Sequence, residues 1–379
     1  MDLTVETVIG NLPRIFRLPP SEQRAIQLEL IVQSFAHHYE RNGFYRAQCD
    51  AAGLTVYDLE RPEDLVRLPL IPLSAFKSPS SHVLLSVPLD EIELEIKSTG
   101  TSGVPSVTRR DATTLDRVSL AITGLYREFF RISRGAGLYL APSLAENPEM
   151  SMVKVINYFS GLLSDARYVV RDYSFEPAEA IQYLRSFEGK EPRHIIGPPF
   201  LIDRLLRHLE AEDLRLPLDA ESFVITIGGW KRFTGEYIGR DQLHEKIERY
   251  LGLAPARVRD MYGMGEANML AIECEHHHKH IPPWVHASIR SLDDHSKEAA
   301  PQEEGVIALL DPTSRSYPGF LLSEDVGSIP AERCACGREG PIVLVHRRVE
   351  GTEYGCCAVS LEKFIESQEI VRSCRVDAA

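Results

Sequence analysis

The stretch Ser222-Phe223-Val224-Ile225-Thr226-Ile227-Gly228-Gly229-Trp230 decides the fold class of this chain. Its first six residues form an apolar run rich in β-branched side chains, which is typical of a buried strand. Two glycines end that run, and the segment from Tyr237 to Leu251 has the apolar spacing of a helix. A buried strand, a glycine turn and a helix in this order indicate a parallel sheet covered by helices.

The same alternation extends in both directions from this stretch. Apolar runs and helical spacing predict strands at 137–142, 168–170 and 194–197, and helices at 21–40, 111–130, 152–163, 177–187 and 198–210. Beyond about Ile272, short strands and turns replace the helices. We therefore predict an α/β fold with a largely parallel sheet and a late β-rich subdomain. Ligands bind such sheets at the carboxyl ends of the strands, where we expect Gly228 and Gly229 to lie.

Length and composition exclude several classes of protein. A chain of 379 residues exceeds one simple core, so we expect two or three packed subdomains. The formal charge of −13 excludes a general binder of nucleic acid or of membrane surfaces. No apolar run is long enough for a membrane span, and the segment Met1-Asp2-Leu3-Thr4-Val5-Glu6 lacks the features of a signal peptide. We expect a cytoplasmic protein whose seven cysteines are thiols or metal ligands.

A second glycine-containing turn is Ser98-Thr99-Gly100-Thr101-Ser102-Gly103-Val104-Pro105, which follows the strand-like run at 91–96. Its four hydroxyl side chains and two glycines suit a loop whose N–H and O–H groups surround an anion. It is not a Walker loop, because Gly-Lys-Ser/Thr is absent at the required spacing. A surface loop rich in serine, threonine and glycine is the alternative interpretation.

Four motifs occur in an informative order: the loop at 98–105, Gly228-Gly229-Trp230, Tyr262-Gly263-Met264-Gly265-Glu266, and Ser323-Glu324-Asp325-Val326-Gly327. With a late arginine at Arg347 or Arg348, they resemble the motifs of the adenylate-forming ligase superfamily over most of the chain. Within it, the chain is similar to phenylacetate–CoA ligases and to the acyl-protein synthetase family of bacterial bioluminescence, the long-chain-fatty-acid–luciferin-component ligases. The resemblance implies ATP- and Mg²⁺-dependent activation of a small-molecule carboxylic acid to acyl-AMP.

The resemblance also implies a role for each motif. The residues implied in binding the ATP phosphates are Ser98, Thr99, Gly100, Thr101, Ser102 and Gly103. Gly228 and Gly229 would leave room for the adenine, while Tyr262 would pack on the purine. Glu266 would hold Mg²⁺, and Asp325 would accept hydrogen bonds from the ribose hydroxyls.

Further residues complete the implied site. Trp230 and Gly263 belong to two of the motifs, and Arg348 or its neighbour Arg347 would contact ribose or phosphate at a hinge. An acyl pocket would lie between the Gly228 strand end and the Tyr262 loop, with Trp230 and Phe200 as walls. We predict an adenylation core over 1–345, with α/β subdomains to about 271 and a zinc-bearing β-rich part from about 272. A short C-terminal segment, 346–379, would follow.

The chain departs from the superfamily pattern in two places. Ser106 follows Pro105 where members commonly carry a lysine, and Arg109 or Arg110 would have to supply the missing charge. The sequence ends about thirty residues after Arg348, so we expect the large mobile C-terminal domain of full-length ligases to be absent as a whole.

Cysteine and histidine spacing predicts a structural Zn²⁺ site. Three thiolates and one imidazole make a tetrahedral set that leaves no position open for catalysis. The predicted ligands are Cys274, His280, Cys334 and Cys336, with His276, His277 or His278 as substitutes for His280. Phenylacetate–CoA ligases have a similar Cys…His…Cys-x-Cys arrangement. Reduced surface cysteines beside a histidine run are the alternative.

The run Tyr354-Gly355-Cys356-Cys357-Ala358-Val359-Ser360 carries two further thiols. The acyl-protein synthetase family has a similar Gly-Cys segment whose cysteine becomes acylated, so Cys356, or else Cys357, would capture the acyl group as a thioester and deliver it to a partner protein. One alternative acceptor is coenzyme A or a carrier-protein pantetheine. Two inert cysteines are the structural alternative. A different functional hypothesis is a non-catalytic nucleotide-binding protein of the same fold.

Overall fold

The computed structural model describes residues 3–97, 105–230, 237–352 and 357–376. Its α-helices in these residues are α1 Val5–Ile9, α2 Leu12–Ile15, α3 Pro20–Arg41, α4 Gly43–Ala51, α5 Ala112–Phe130, α6 Ser151–Asn157, α7 Pro177–Ser186, α8 Pro199–Ala211, α9 Arg240–Leu251 and α10 Cys357–Val376. Its β-strands there are β1 Ile71–Pro72, β2 Ile92–Lys97, β3 Val107–Asp111, β4 Ala136–Tyr139, β5 Asp165–Tyr168, β6 Val170–Arg171, β7 Ser174–Phe175, β8 Arg193–Gly197, β9 Val224–Ile227, β10 Val258–Tyr262, β11 Ala271–Glu273, β12 Lys279–His280, β13 His286–Arg290, β14 Gly305–Leu310, β15 Phe320–Ser328 and β16 Ile342–Arg348.

The chain packs into two compact units, and neither is continuous in sequence. The described part of the first unit comprises 3–97, 105–129 and 263–352. The described part of the second comprises 130–230, 237–262 and 357–376. The division of the chain at residue 346 into a core and a C-terminal segment is not tested by this packing and stays a prediction.

The second unit contains the parallel sheet that the sequence predicts. Its strand order is β10-β9-β8-β4-β5, and every neighbouring pair is parallel. The three central strands are buried along their whole length. A parallel strand covered on both faces needs a nearly continuous apolar run, which is why the Val224–Ile227 segment identified this architecture. The α/β prediction is confirmed.

The helices of the second unit follow their apolar spacing closely. In α8 a single stripe is buried, formed by Leu201, Ile202, Leu205, Leu206 and Leu209. Pro199 opens this helix, where its missing N–H costs nothing. Gly252, in the left-handed conformation with a φ of 66°, closes α9. The proline explains why α8 begins within a residue of its predicted start, and the glycine explains why α9 ends at the predicted residue, although α9 begins three residues later than expected.

The first unit holds the late β-rich part. Its strands follow the order β13-β14-β15-β16-β12-β11 with antiparallel pairing, and β1 lies parallel to β15. A separate hairpin pairs β2 with β3. In its register, the described residues Lys97 and Val107 lie opposite each other.

The long helices of the first unit match the predicted ones. The helix α3 was expected at 21–40 and α5 at 111–130, and both are present within a residue. Among the helices of the described ranges, none combines the length and the apolar character needed to cross a bilayer.

Candidate functional site

The carboxylate of Glu266 accepts a hydrogen bond from a serine that lies 160 residues earlier in the chain. Ser106 Oγ donates a hydrogen bond to Glu266 Oε1 at 2.5 Å. Both side chains are buried, with 3% of Ser106 and 9% of Glu266 exposed. A carboxylate oxygen is a ligand that Mg²⁺ prefers, so the chemistry of Glu266 fits the predicted metal role.

The backbone around Glu266 is anchored separately from its side chain. Arg110 donates from Nη2 to the carbonyl oxygen of Gly265 at 2.8 Å and from Nε to Asn268 Oδ1 at 2.7 Å. The Tyr317 hydroxyl donates to the carbonyl oxygen of Glu266 at 2.8 Å. Burial raises the pKa of Tyr317 to about 12, so this hydroxyl remains a donor at neutral pH. The loop conformation is therefore fixed by two buried side chains.

These contacts bear on the lysine that is missing after Pro105. Arg110 is occupied by the Glu266 loop, as described above. Arg109 forms an ion pair with Glu95, Nε to Oε2 at 2.9 Å, and donates from Nη1 to Ser81 Oγ at 3.1 Å. Both arginines therefore have partners in the first unit, and neither is a ready substitute for the lysine. No local pattern in the sequence indicates the hydrogen-bond and ion-pair partners of these two arginines.

Asp325 lies beside Arg348 on the neighbouring strand. The two residues are Cα partners of β15 and β16, and Arg348 Nη1 donates to Asp325 Oδ1 at 3.3 Å. Arg348 Nη2 also reaches Glu324 Oε2 at 2.6 Å. Side chains alternate along a strand, and Arg347 instead approaches Glu304 at 3.6 Å. Of the two predicted arginines, Arg348 is the neighbour of Asp325.

In the second unit, Gly228 and Tyr262 occupy adjacent strand ends. Ile227 of β9 is the Cα partner of Met261 of β10, so by the same register Gly228 is level with Tyr262. Gly228 has a φ of 93° and Gly229 a φ of 91°, both in the region that favours glycine. The two motifs that the sequence analysis singled out thus meet at one edge of the parallel sheet.

The first turn of α10 packs on Gly228. A Cβ at position 228 would lie 2.8 Å from Ala358 Cβ and 3.1 Å from Met152 Sδ, both closer than ordinary contacts. The space beside Gly228 is thus taken by the C-terminal helix. The resemblance implies that the missing side chain at Gly228 leaves room for the adenine. No pattern in the sequence indicates that α10 packs on this residue.

Cys357 opens α10 and is half-buried. Its Sγ lies 3.3 Å from Ser151 Oγ, the first residue of α6. Since Ala358 packs on Gly228, the thiol lies near the carboxyl end of β9. Ser151 was not anticipated, because no local motif marks it.

The remaining predicted residues of the nucleotide and acyl site lie as follows. Trp230 stacks on Tyr237 with ring centroids 6.5 Å apart. Phe200 is half-buried in α8. A Cβ at Gly263, in the first unit, would meet Leu270 Cδ1 at 3.0 Å. The acyl pocket stays a prediction. Outside the described residues lie Ser98, Thr99, Gly100, Thr101, Ser102, Gly103 and Cys356, so their predicted roles are untested.

The four predicted metal ligands come together in the first unit. Ligand atoms of Cys274, His280, Cys334 and Cys336 all lie within 4.8 Å of one another, and we call this group the metal cluster. Cys274 Sγ is 3.4 Å from Cys334 Sγ, and Cys336 Sγ is 3.3 Å from His280 Nε2. Such spacings suit ligands around one tetrahedral ion.

Two alternatives to His280 can be compared with it. His278 Nδ1 lies 3.3 Å from Cys334 Sγ, so this imidazole also borders the metal cluster. His277 instead approaches Glu273 Oε2 at 3.5 Å. A hydrogen bond with Cys274 lowers the pKa of Cys336, while the same bond raises the pKa of Cys274. Neighbouring sulfurs that share protons in this way are suited to exchanging them for a cation.

The Cys-x-Cys loop is attached to α5 through Arg338. The Arg338 backbone N–H donates to Cys336 Sγ at 3.5 Å, while its Nε reaches Glu128 Oε1 at 3.1 Å. The guanidinium also lies 4.4 Å from the centroid of the Phe129 ring. Arg338 and Glu128 are both buried, so this ion pair ties the metal cluster to the end of a long helix. Arginine after Cys-x-Cys-Gly was the available signal, but its partner lies 210 residues away.

This chain is similar to several known proteins. A family model described as "Acyl-protein synthetase, LuxE" matches residues 7–365. The long-chain-fatty-acid–luciferin-component ligase of Vibrio harveyi is 27% identical over 352 residues, covering 90% of this chain and 89% of that protein. The phenylacetate-coenzyme A ligase of Aromatoleum evansii is 31% identical over 137 residues, covering 34% of this chain and 31% of that protein.

A solved structure shares the fold. The 2-hydroxyisobutyryl-CoA ligase, in an open conformation with 2-HIB-AMP and CoA, superposes with a TM-score of 0.70 at 18% identity. The match covers 90% of this chain and 79% of that one. At this identity the likeness shows the adenylate-forming ligase fold and no more.

Proposed function

Because this chain belongs to the LuxE acyl-protein synthetase family, we propose that it activates a carboxylic acid with ATP and transfers the acyl group to its own Cys357. The enzyme is an acid–thiol ligase that forms an acyl-AMP and passes the acyl group to a thiol. A partner protein would then receive the acyl group from the cysteine. Two relatives are named long-chain-fatty-acid–luciferin-component ligases, which favours a long-chain fatty acid as the substrate.

In the first step, a carboxylate oxygen of the acid attacks the α-phosphorus of ATP. The bond from that phosphorus to the oxygen bridging to the β-phosphorus breaks, and pyrophosphate leaves. Asp325 would bind the ribose hydroxyls while Arg348 keeps its carboxylate oriented. Glu266 would hold Mg²⁺, which when bound neutralises phosphate charge.

In the second step, the Cys357 thiolate attacks the acyl carbonyl carbon of the acyl-AMP. The thiol proton passes to solvent before the attack; the bond from that carbon to the phosphate oxygen then breaks, and AMP leaves. Two features would assist the attack: the first turn of α10, whose N–H groups stabilise nearby negative charge, and the Ser151 hydroxyl, which lies 3.3 Å from the sulfur. The carrying observation is the contact of Ala358 with Gly228, which supports a thiol close to the carboxyl end of β9.

The metal cluster supports a further proposal, a structural Zn²⁺ held by Cys274, His280, Cys334 and Cys336. Three sulfurs and an imidazole suit zinc better than they suit Mg²⁺ or Ca²⁺. The ion would fasten the Cys-x-Cys loop to the turn between β11 and β12.

Labelled acid tests the main proposal when it is supplied with ATP and Mg²⁺ but without coenzyme A. We expect a protein-bound, hydroxylamine-labile label that is lost in Cys357→Ser and retained in Cys356→Ser. The two single variants are matched controls, since the cysteines are adjacent and equal in size. A label that survives the double variant would rule out both thiols.

Coenzyme A is the second candidate acceptor, and the similarity to phenylacetate–CoA ligases favours it. Thioester formation that requires coenzyme A and survives loss of both cysteines would establish this alternative. Acid-dependent exchange of labelled pyrophosphate into ATP tests the first step alone, across a panel of aliphatic and aromatic acids. Tight ATP binding without exchange for every acid would instead indicate a non-catalytic nucleotide-binding protein.

A further inference from the structure

We propose that Ser106 is a positioning residue that aims the Glu266 carboxylate at the Mg²⁺ accompanying ATP. The inference rests on the proposed function, because it assumes that Glu266 holds this ion. It also explains the departure after Pro105, where the superfamily's lysine is replaced by a hydroxyl. The role of Ser106 is to hold one carboxylate oxygen so that the other oxygen is presented to the metal.

The backbone fixes where Ser106 lies. It directly precedes β3, and Val107 is already paired with Lys97 of β2. Its hydroxyl therefore starts from a position set by the hairpin register. At 2.5 Å, the bond from its Oγ to Glu266 Oε1 is short, as expected for a hydroxyl that donates to a carboxylate.

Burial makes this bond consequential. Ser106 is 3% exposed and Glu266 is 9% exposed, so water is a poor replacement for the serine hydroxyl. A buried carboxylate that loses a donor is left with an unsatisfied oxygen and turns toward another partner. Loss of the serine hydroxyl would therefore change the orientation of the carboxylate. A metal ligand depends on this orientation.

The Glu266 loop would keep its shape without Ser106. Arg110 binds the Gly265 carbonyl and the Asn268 side chain, and Tyr317 binds the Glu266 carbonyl. These contacts act on the backbone and on a neighbouring side chain, whereas Ser106 acts on the carboxylate alone. Removal of the hydroxyl should therefore alter metal binding while the fold persists.

A lysine at position 106 would act differently from the serine. Its ammonium would sit against the Glu266 carboxylate and satisfy the negative charge that Mg²⁺ needs. In this chain the neutral hydroxyl leaves that charge available. Restoring the superfamily's residue should thus weaken metal binding rather than improve it.

The test uses Ser106→Ala, Ser106→Thr and Ser106→Lys in the full chain. Thr108→Val is the matched control, because the Thr108 hydroxyl is buried on the same hairpin and has no hydrogen-bond partner among the described residues. Binding of Mn²⁺ in the presence of ATP is followed by its electron paramagnetic resonance signal. The Mg²⁺ dependence of pyrophosphate exchange and the thermal midpoint are measured on the same samples.

For Ser106→Ala we expect the metal concentration at half-saturation to rise about tenfold or more, the size of one hydrogen bond to a buried charge. Ser106→Thr should stay within about twofold of the parent chain and Ser106→Lys should bind metal at least as weakly as Ser106→Ala, while Thr108→Val changes nothing. Metal binding of Ser106→Ala within twofold of the parent, or an equal shift in Thr108→Val, overturns the inference. A parent chain that binds Mn²⁺ and ATP but exchanges no pyrophosphate overturns the proposed function instead. In that case the Mn²⁺ affinities of the variants still test whether Ser106 orients Glu266.

Discussion

The metal cluster and the start of α10 present the same side chain in two opposite settings. In the metal cluster, each cysteine sulfur has other sulfur or imidazole atoms within 4.8 Å, and the paired strands β11 and β12 flank Cys274. Cys357 begins a helix, is half-buried, and has the Ser151 hydroxyl beside it at 3.3 Å. A thiol among other ligands is suited to a structural metal, whereas a thiol beside one hydroxyl is suited to nucleophilic attack.

The difference in anchoring follows from the elements that carry each thiol. Cys274 directly follows the paired strand β11, and His280 belongs to the paired strand β12. Cys336 accepts a hydrogen bond from the backbone of the buried Arg338. These three residues are therefore held by the structure around them.

The Cys357 thiol depends on the packing of α10, whose Ala358 lies against Gly228 and whose Phe364 lies against Tyr173. Among the described residues, the sulfur itself has only the Ser151 hydroxyl as a polar neighbour, and no set of metal-ligating atoms surrounds it.

The largest expected effect is on the reactive side of this comparison. Cys357→Ser should reduce covalent labelling by the activated acid at least about a thousandfold, because the nucleophile itself is removed. Pyrophosphate exchange should remain, since the adenylation step does not use the thiol. Mass spectrometry of the labelled protein and the exchange assay together check both statements. Full labelling with unchanged kinetics would break the comparison.

On the structural side, Cys336→Ser should release the metal and lower the free energy of unfolding by about 3 kcal/mol or more. The reason is that the remaining cysteines would form a buried cluster without a cation. Metal content by elemental analysis and urea unfolding provide the measurements. Cys357→Ser is the control, and its stability should stay within about 0.5 kcal/mol of the parent chain. Near-stoichiometric zinc in Cys336→Ser would contradict the assignment.

A smaller effect tests how the metal cluster is fastened to α5. Arg338→Met should cost about 2–4 kcal/mol of stability, because Glu128 loses its buried partner. Arg333→Met is the matched control, since the Arg333–Glu339 pair is exposed on the arginine side and should be worth less than about 1 kcal/mol. Equal stability of the two variants in urea would show that the buried pair is dispensable.

The smallest expected effect concerns the neighbour of the reactive thiol. Ser151→Ala should slow alkylation of Cys357 by iodoacetamide about threefold to tenfold at neutral pH, the size of one hydrogen bond to a thiolate. A Cys356→Ser background, with the alkylated peptide identified by mass spectrometry, separates the signal of Cys357 from that of the other cysteines. Ser164→Ala serves as the control, because its hydroxyl bonds to the Gly135 carbonyl and to Glu191. An unchanged alkylation rate would assign Ser151 to packing alone.

Local patterns were sufficient for much of the fold. The stripe of α8, the buried run of β9 and the glycine after α9 each depend on residues close in sequence. The members of the metal cluster could also be predicted, because the Cys-x-Cys motif and the cysteine–histidine run at 274–280 leave few combinations of four ligands. The lengths of β4 and β9 needed the structure, since strand ends depend on pairing with neighbours.

Long-range side-chain pairs were beyond the sequence. Ser106 and Glu266 are 160 residues apart, and Arg338 and Glu128 are 210 apart. No periodicity connects such positions, because sheet registers and helix packing bring them together. The motif order could suggest that Glu266 matters, but it could not suggest which group orients it.

The docking of α10 on the sheet has a practical consequence for shortened versions of the chain. Ala358 packs on Gly228, and the Phe364 ring lies 4.9 Å from that of Tyr173. Trimming the polypeptide before Cys357 would uncover these apolar surfaces together. Such a truncated protein should aggregate during purification even where its parallel sheet still forms.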